Sequence, residues 1–121
     1  MTITHTDPRL SMTEAALEEE VRTICAQLGV YRYHPYDSRK SQHGWPDDVL
    51  VGPWGILYRE LKTQTGKVRP EQEDVIARLR RAGADVDVWR PSDWISGRIS
   101  REVFAISHLA RHHRKDDSAH R

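Results

Sequence analysis

Apolar residues along this chain recur with two different periods, and the switches between them constrain the fold class before any single motif is considered. Leu17, Val21, Ile24 and Leu28 follow at steps of four, three and four, one face of a helix. Val75, Ile76, Leu79 and Ala82 repeat the helical spacing further on. Between these stripes lie three short runs, Val30 to His34, about Asp47 to Val51 and about Ile56 to Lys62, whose β-branched and aromatic side chains suit strands. Ala84, Val86 and Val88 then alternate with Asp85 and Asp87, the pattern of a half-buried strand. Ile95, Ile99 and Val103 recur every four residues within Ser92–Leu109, which predicts one or two helical pieces. The order αβββαβ plus a C-terminal helix predicts an α/β sandwich, with helices flanking a central mixed sheet of about four strands. A right-handed crossover through the 70–82 helix would make the strand after it parallel to the one before.

Local breakers set the boundaries. Ser11 with Glu14 fits a capping box, so the first helix is expected to begin at Ser11 or Thr13, and Gly29 suits its end. Gly52-Pro53-Trp54-Gly55 is a hairpin turn between the second and third strands. Pro70 suits the first position of the second helix, and Gly83 ends it. Residues 35–46 and Thr63 to Arg69 are polar loops. The expected organisation is a flexible arm at 1–10, one domain at 11–110 and a flexible tail at 111–121.

A chain of 121 residues can bury one modest core, and 37% hydrophobic with 31% charged residues is a globular composition. No apolar run approaches the roughly 18 residues that span a bilayer. The start, Met1-Thr2-Ile3-Thr4-His5, lacks the basic and apolar regions of a signal peptide, and Cys25 is the single cysteine, which excludes an internal disulfide. A cytoplasmic location follows as the expectation. Net charge is only +1, so composition does not announce a nucleic-acid partner. Nineteen Lys and Arg can still gather on one surface.

The chemistry concentrates around one predicted hairpin. Strand side chains alternate faces, so Glu60 and Lys62 point the same way. Asp47 shares a face with Val49 and Val51, Asp48 points away with Leu50, and pairing of the two strands can lay Asp47 beside Glu60. Two carboxylates can hold Mg²⁺ while leaving room for water and a phosphate. The ion acidifies water and neutralises phosphoryl charge, and a nearby ammonium stabilises the crowded phosphate. This set of groups suits phosphodiester hydrolysis. Gln72 precedes Val75, Ile76 and Leu79 by three, four and seven residues, so it lies on the helix stripe that faces the sheet.

Gly44-Trp45-Pro46-Asp47, then Glu60-Leu61-Lys62, then Pro70-Glu71-Gln72 resembles the VRR-NUC branch of the PD-(D/E)XK nucleases: a G-x-P-D turn, an E-x-K strand and a glutamine early in the next helix. His34 to Ser38 and Gly83 to Arg90 also resemble the short phage and bacterial members, so the likeness spans roughly residues 13–94. An isolated E-x-K carries little weight; the ordered, correctly spaced set carries much. The resemblance implies a restriction-endonuclease-like fold and a DNA endonuclease. Asp47, Glu60 and the Leu61 carbonyl would hold Mg²⁺ or Mn²⁺, Lys62 would be the catalytic lysine, and Gln72 would reach the site from its helix. It also implies an acid from the first helix near the metal, with Glu14 favoured over Glu18. Stand-alone members resemble Holliday junction resolvases, which implies a homodimer acting on branched DNA in a bacterial or phage-infected cell. A flap, nick or replication-intermediate nuclease is the enzymatic alternative, and a DNA-binding module on the same fold the non-enzymatic one.

Two positions depart from the branch pattern. Asp48 replaces an apolar residue and is either a solvated strand residue or a competing ligand; Arg69 stands where a capping serine is usual. Arg39, Lys40, His43, Lys67 and Arg69 could neutralise DNA phosphates or line solvated loops. Trp54, at the hairpin tip, could pack on a second subunit, stack on a base or cover its own hairpin. His34 lies near the motif. His108 and His112 have metal-pair spacing but lack the glutamate of H-E-x-x-H, and a zinc site is not expected there.

Overall fold

The fold was established from a computed structural model, which describes residues 7–35 and 44–111. Four strands form one sheet: β1 (Tyr31–Tyr33), β2 (Asp48–Gly52), β3 (Gly55–Leu61) and β4 (Asp85–Trp89). Spatial order follows chain order, with β1, β2 and β3 antiparallel and β4 parallel to β3. The helices are α1 (Glu14–Leu28), α2 (Pro70–Arg81), α3 (Pro91–Ile95) and α4 (Arg98–Ile106). The expected α/β architecture, with a mixed four-stranded sheet flanked by helices, is the observed one. No helix among the described residues is long and apolar enough to cross a membrane.

The apolar stripe of α1 packs against the sheet, burying Leu17, Val21 and Cys25 with Leu50, Leu57 and Leu61. Helix α4 joins this side, adding Ile99, Val103 and Ile106 around Trp89. Helix α2 lies on the opposite side and covers β4. Both faces of β4 are therefore covered, where the alternation predicted one. Val86 is buried on one face and Trp89 on the other. Asp85 and Asp87 do not simply face water. Asp87 meets Arg98 of α4 at 2.6 Å, and Asp85 meets the buried Arg59 at 2.9 Å. Period alone tells which residues share a face, not what covers that face.

Helix α1 is capped by Thr13, whose side chain accepts from the Ala16 N–H at 3.1 Å. Ser11 instead ends a 3-10 turn, Pro8–Ser11, which overlaps the last three residues of the expected arm. The hairpin closes through Pro53 and Trp54, with Gly52 opposite Gly55. Its tip is tied to the end of α4, because the Trp54 N–H donates to the Ile106 carbonyl at 3.3 Å.

Candidate active site

The β2–β3 register places Asp48 opposite Arg59, so Asp47 falls opposite Glu60 at the end of the ladder. The backbone pairing stops there, and the Asp47 carboxylate takes over: its Oδ2 accepts from the Leu61 N–H at 2.8 Å. Glu60 and Lys62 emerge on the same face of β3 and are both buried. Lys62 Nζ lies 3.5 Å from Glu60 Oε2. The same oxygen accepts from Gln72 Nε2 at 2.8 Å. Gln72 serves its helix as well, since its Oε1 accepts from the Arg69 N–H at 2.9 Å. With no side chain able to accept at Arg69, Gln72 caps the helix start by itself. Both ends of the amide are thus engaged, which fixes its orientation. Gly44 brings the loop up to α2. Its φ is +90°, and a Cβ there would run into the Glu71 carbonyl. Only glycine permits that approach at low cost.

Electrostatics set these carboxylates apart. Burial, and then the Asp47 carboxylate beside it, push the Glu60 carboxyl up to about 8, against the opposing pull of Lys62. Two acids and one ammonium leave excess negative charge when both acids ionise, and a divalent cation would neutralise it. Among the described residues no three His, Cys, Asp or Glu side chains converge as a metal cage. Two carboxylates with a backbone carbonyl suit an ion that keeps several waters, such as Mg²⁺ or Mn²⁺, better than structural zinc.

Behind the hairpin, on the α1 side of the sheet, lies a second charged group. Asp48 is fully buried, so it is not a solvated strand residue. It points away from Glu60, into a cluster with Arg32 and His34. Arg32 Nε donates to Asp48 Oδ1 at 2.8 Å, and its Nη2 donates to Glu18 Oε2 at 2.9 Å. His34 Nε2 lies 2.6 Å from the same Glu18 oxygen, and its Nδ1 lies 2.9 Å from the Asp47 carbonyl oxygen. Burial pushes the Asp48 carboxyl up to about 6, opposed by the charges of Arg32 and His34. Of the two helix acids, Glu18 reaches this cluster behind Asp47, whereas Glu14 is an exposed residue in the first turn of α1.

The remaining candidates are spread out. Lys67 is exposed, and Arg69 is exposed with Glu71 3.1 Å away. Arg39, Lys40, His43 and His112 lie outside the described residues. His108 is exposed near Gly29. Two residues were missed by sequence reasoning. Arg32 sits between Tyr31 and Tyr33, and its acids come from β2 and α1, so the local sequence carries no sign of them. Arg90 is the second. It ties down the loop after Lys62, donating to the Thr63 and Gly66 carbonyls at 2.7 Å each, and nothing local in the sequence signals this.

One solved structure resembles this fold, a protein described as a "VRR_NUC domain protein", with a TM-score of 0.52 and 19% sequence identity over 83% of this chain and 99% of that one. At that identity the likeness establishes a shared fold with that protein. No family model and no curated protein matches the chain.

Proposed function

We propose that this chain is a metal-dependent DNA endonuclease of the VRR-NUC type in the PD-(D/E)XK superfamily, acting as a homodimer on branched DNA in the manner of a Holliday junction resolvase. One observation carries the reading: Asp47, Glu60 and Lys62 converge at the end of one hairpin, with Gln72 bonded to Glu60 from the neighbouring helix. Asp47, Glu60 and the Leu61 carbonyl would hold Mg²⁺ or Mn²⁺, which supplies neutralisation of phosphoryl charge and a more acidic water. Lys62 places its ammonium where it can orient the attacking water or steady the phosphate as charge builds. Gln72 holds Glu60 in the conformation that faces Lys62. The Leu61 N–H fixes one Asp47 oxygen, which sets the direction of the carboxylate beside Glu60. A two-fold dimer would present two equivalent sites, matching the paired cuts that resolve a four-way junction.

The test is cleavage of labelled four-way junction, flap, nicked and plain duplex DNA with Mg²⁺, beside Asp47→Ala and Lys62→Ala. Paired symmetric cuts on the junction, lost in both variants while the far-UV spectrum is kept, are expected. Cutting of flaps or nicks alone would reassign the substrate. Variants that cleave like the parent would remove the site.

A further inference from the structure

The sheet face that carries Glu60 and Lys62 is covered by α2 only toward β4. Across β1, β2 and β3 no described helix covers it. In register, Tyr31, Val51 and Ile56 form one cross-strand row, and Tyr33, Val49 and Tyr58 form the next. Exposure is high for side chains of this kind: Tyr31 68%, Tyr33 55%, Trp45 45%, Val51 37% and Ile56 45%. Trp45 joins the patch through Tyr58, with ring centroids 6.5 Å apart. At about 200 Å² for a large aromatic side chain, the exposed parts amount to several hundred Å², the size that marks an interaction surface.

We infer that this β1–β2–β3 face is where a second copy of the chain docks. The occupant follows from charge, shape and area. Neither row contains a charged residue to neutralise a phosphate backbone, and the nearest charges along the sheet are Asp47 and Glu60, both acidic, in the next row. The remaining segments of the sequence, 1–6, 36–43 and 112–121, carry only Met1, Ile3, Tyr36 and Ala119 as apolar or aromatic residues, whereas a second copy brings a matching apolar face. The small Val49 and Val51 run between columns of larger side chains, Tyr31 and Tyr33 on one side and Ile56 and Tyr58 on the other. A ridge–groove–ridge surface is self-complementary: about a two-fold axis, the tyrosine ridge of each copy lies in the valine groove of the other. Face-to-face packing of two sheets is a standard arrangement. With a polar rim, the patch approaches the roughly 800 Å² per partner of a stable interface. The Tyr33–Val49–Tyr58 row lies two residues, about 7 Å, from the Asp47–Glu60 pair. Dimerisation here therefore borders both acid sites on one interface.

This inference takes the homodimer from the proposed function but does not need its chemistry. The experiment is sedimentation equilibrium of the full chain at micromolar concentration, comparing the parent with Tyr31→Lys/Ile56→Lys, Phe104→Lys and Asp47→Ala. The parent is expected at twice its 14.1 kDa chain mass. Tyr31→Lys/Ile56→Lys should raise the dimer dissociation constant by at least about tenfold with an unchanged far-UV spectrum. Both altered side chains are exposed, so folding is spared. Phe104→Lys changes an exposed apolar residue of α4, on the opposite side of the sheet, and should stay dimeric. Asp47→Ala should also stay dimeric, so loss of cleavage and loss of pairing are read separately. A monomeric parent, or a dimer that survives Tyr31→Lys/Ile56→Lys, overturns the proposal. A monomeric parent whose DNA retention falls in that double variant also overturns it, and assigns the face to nucleic acid.

Discussion

Glu60 holds the balance of charge at the site, and its ionisation links pH to stability. Its carboxyl rises from 4.5 to about 8, chiefly through burial and then through Asp47. A folded chain with a raised carboxyl pKa retains a proton that the unfolded chain releases. The stability it contributes is complete below about 4.5 and is lost as pH climbs through about 8. Asp48, raised from 3.8 to about 6, acts with the same sign over a lower window. In the presence of a chelator, the thermal midpoint should fall between pH 5 and pH 9, and Glu60→Gln should flatten the upper part of that slope. A midpoint that rises with pH in the parent would contradict this placement of Glu60. Mg²⁺ binding requires the ionised form, so added Mg²⁺ should stabilise the parent more at pH 8 than at pH 6 and should do little for Glu60→Gln.

Among the elements, α2 connects local folding to chemistry through one side chain. Gln72→Ala removes the acceptor for the Arg69 N–H and the donor to Glu60 together, and should destabilise by about 1–2 kcal/mol in urea titration. Gln72→Glu keeps an acceptor for the helix cap but sets a second carboxylate against Glu60. It should retain the helix by far-UV spectroscopy and lose cleavage; equal cleavage in both variants and the parent would leave Gln72 as a cap alone. Helices α1, α2 and α4 were legible because their apolar period persists for about three turns in the first and about two in the others. The hairpin was legible because alternation on each side of Gly52-Pro53-Trp54-Gly55 determines which residues share a face, and that alternation brought Asp47 to Glu60. What stayed hidden depends on partners distant in sequence. Arg59, beside Glu60 in β3, looks like a solvent-facing residue until Glu102 arrives from α4, 43 residues later. Arg32, Asp48 and Glu18 likewise come from three separate elements. Short-range pattern cannot say which charges will meet beneath a sheet.

Across the whole molecule, Glu102 joins α4 to β3 and β4. It accepts from Arg59, from Trp89 Nε1 at 2.9 Å and from Arg98 at 2.7 Å, and the Arg59 guanidinium also lies over the Trp89 ring at 5.1 Å. Glu102→Ala would leave the buried Arg59 with Asp85 as its remaining acid, and should destabilise by about 3 kcal/mol in urea titration. A change under about 0.5 kcal/mol would mean that the network contributes little to stability. The hydrogen bond that ends the β2–β3 ladder offers a separate readout. Because the Leu61 N–H is held by an Asp47 oxygen, its backbone resonance reports on the charge and orientation of that carboxylate. In a ¹⁵N-edited titration with Mg²⁺, the Leu61 cross-peak should move early and saturate with the binding isotherm, while amides beside Phe104 stay still. A stationary Leu61 signal would place the ion elsewhere. The chain thus carries an intrinsic gauge of cation occupancy, readable without any substrate.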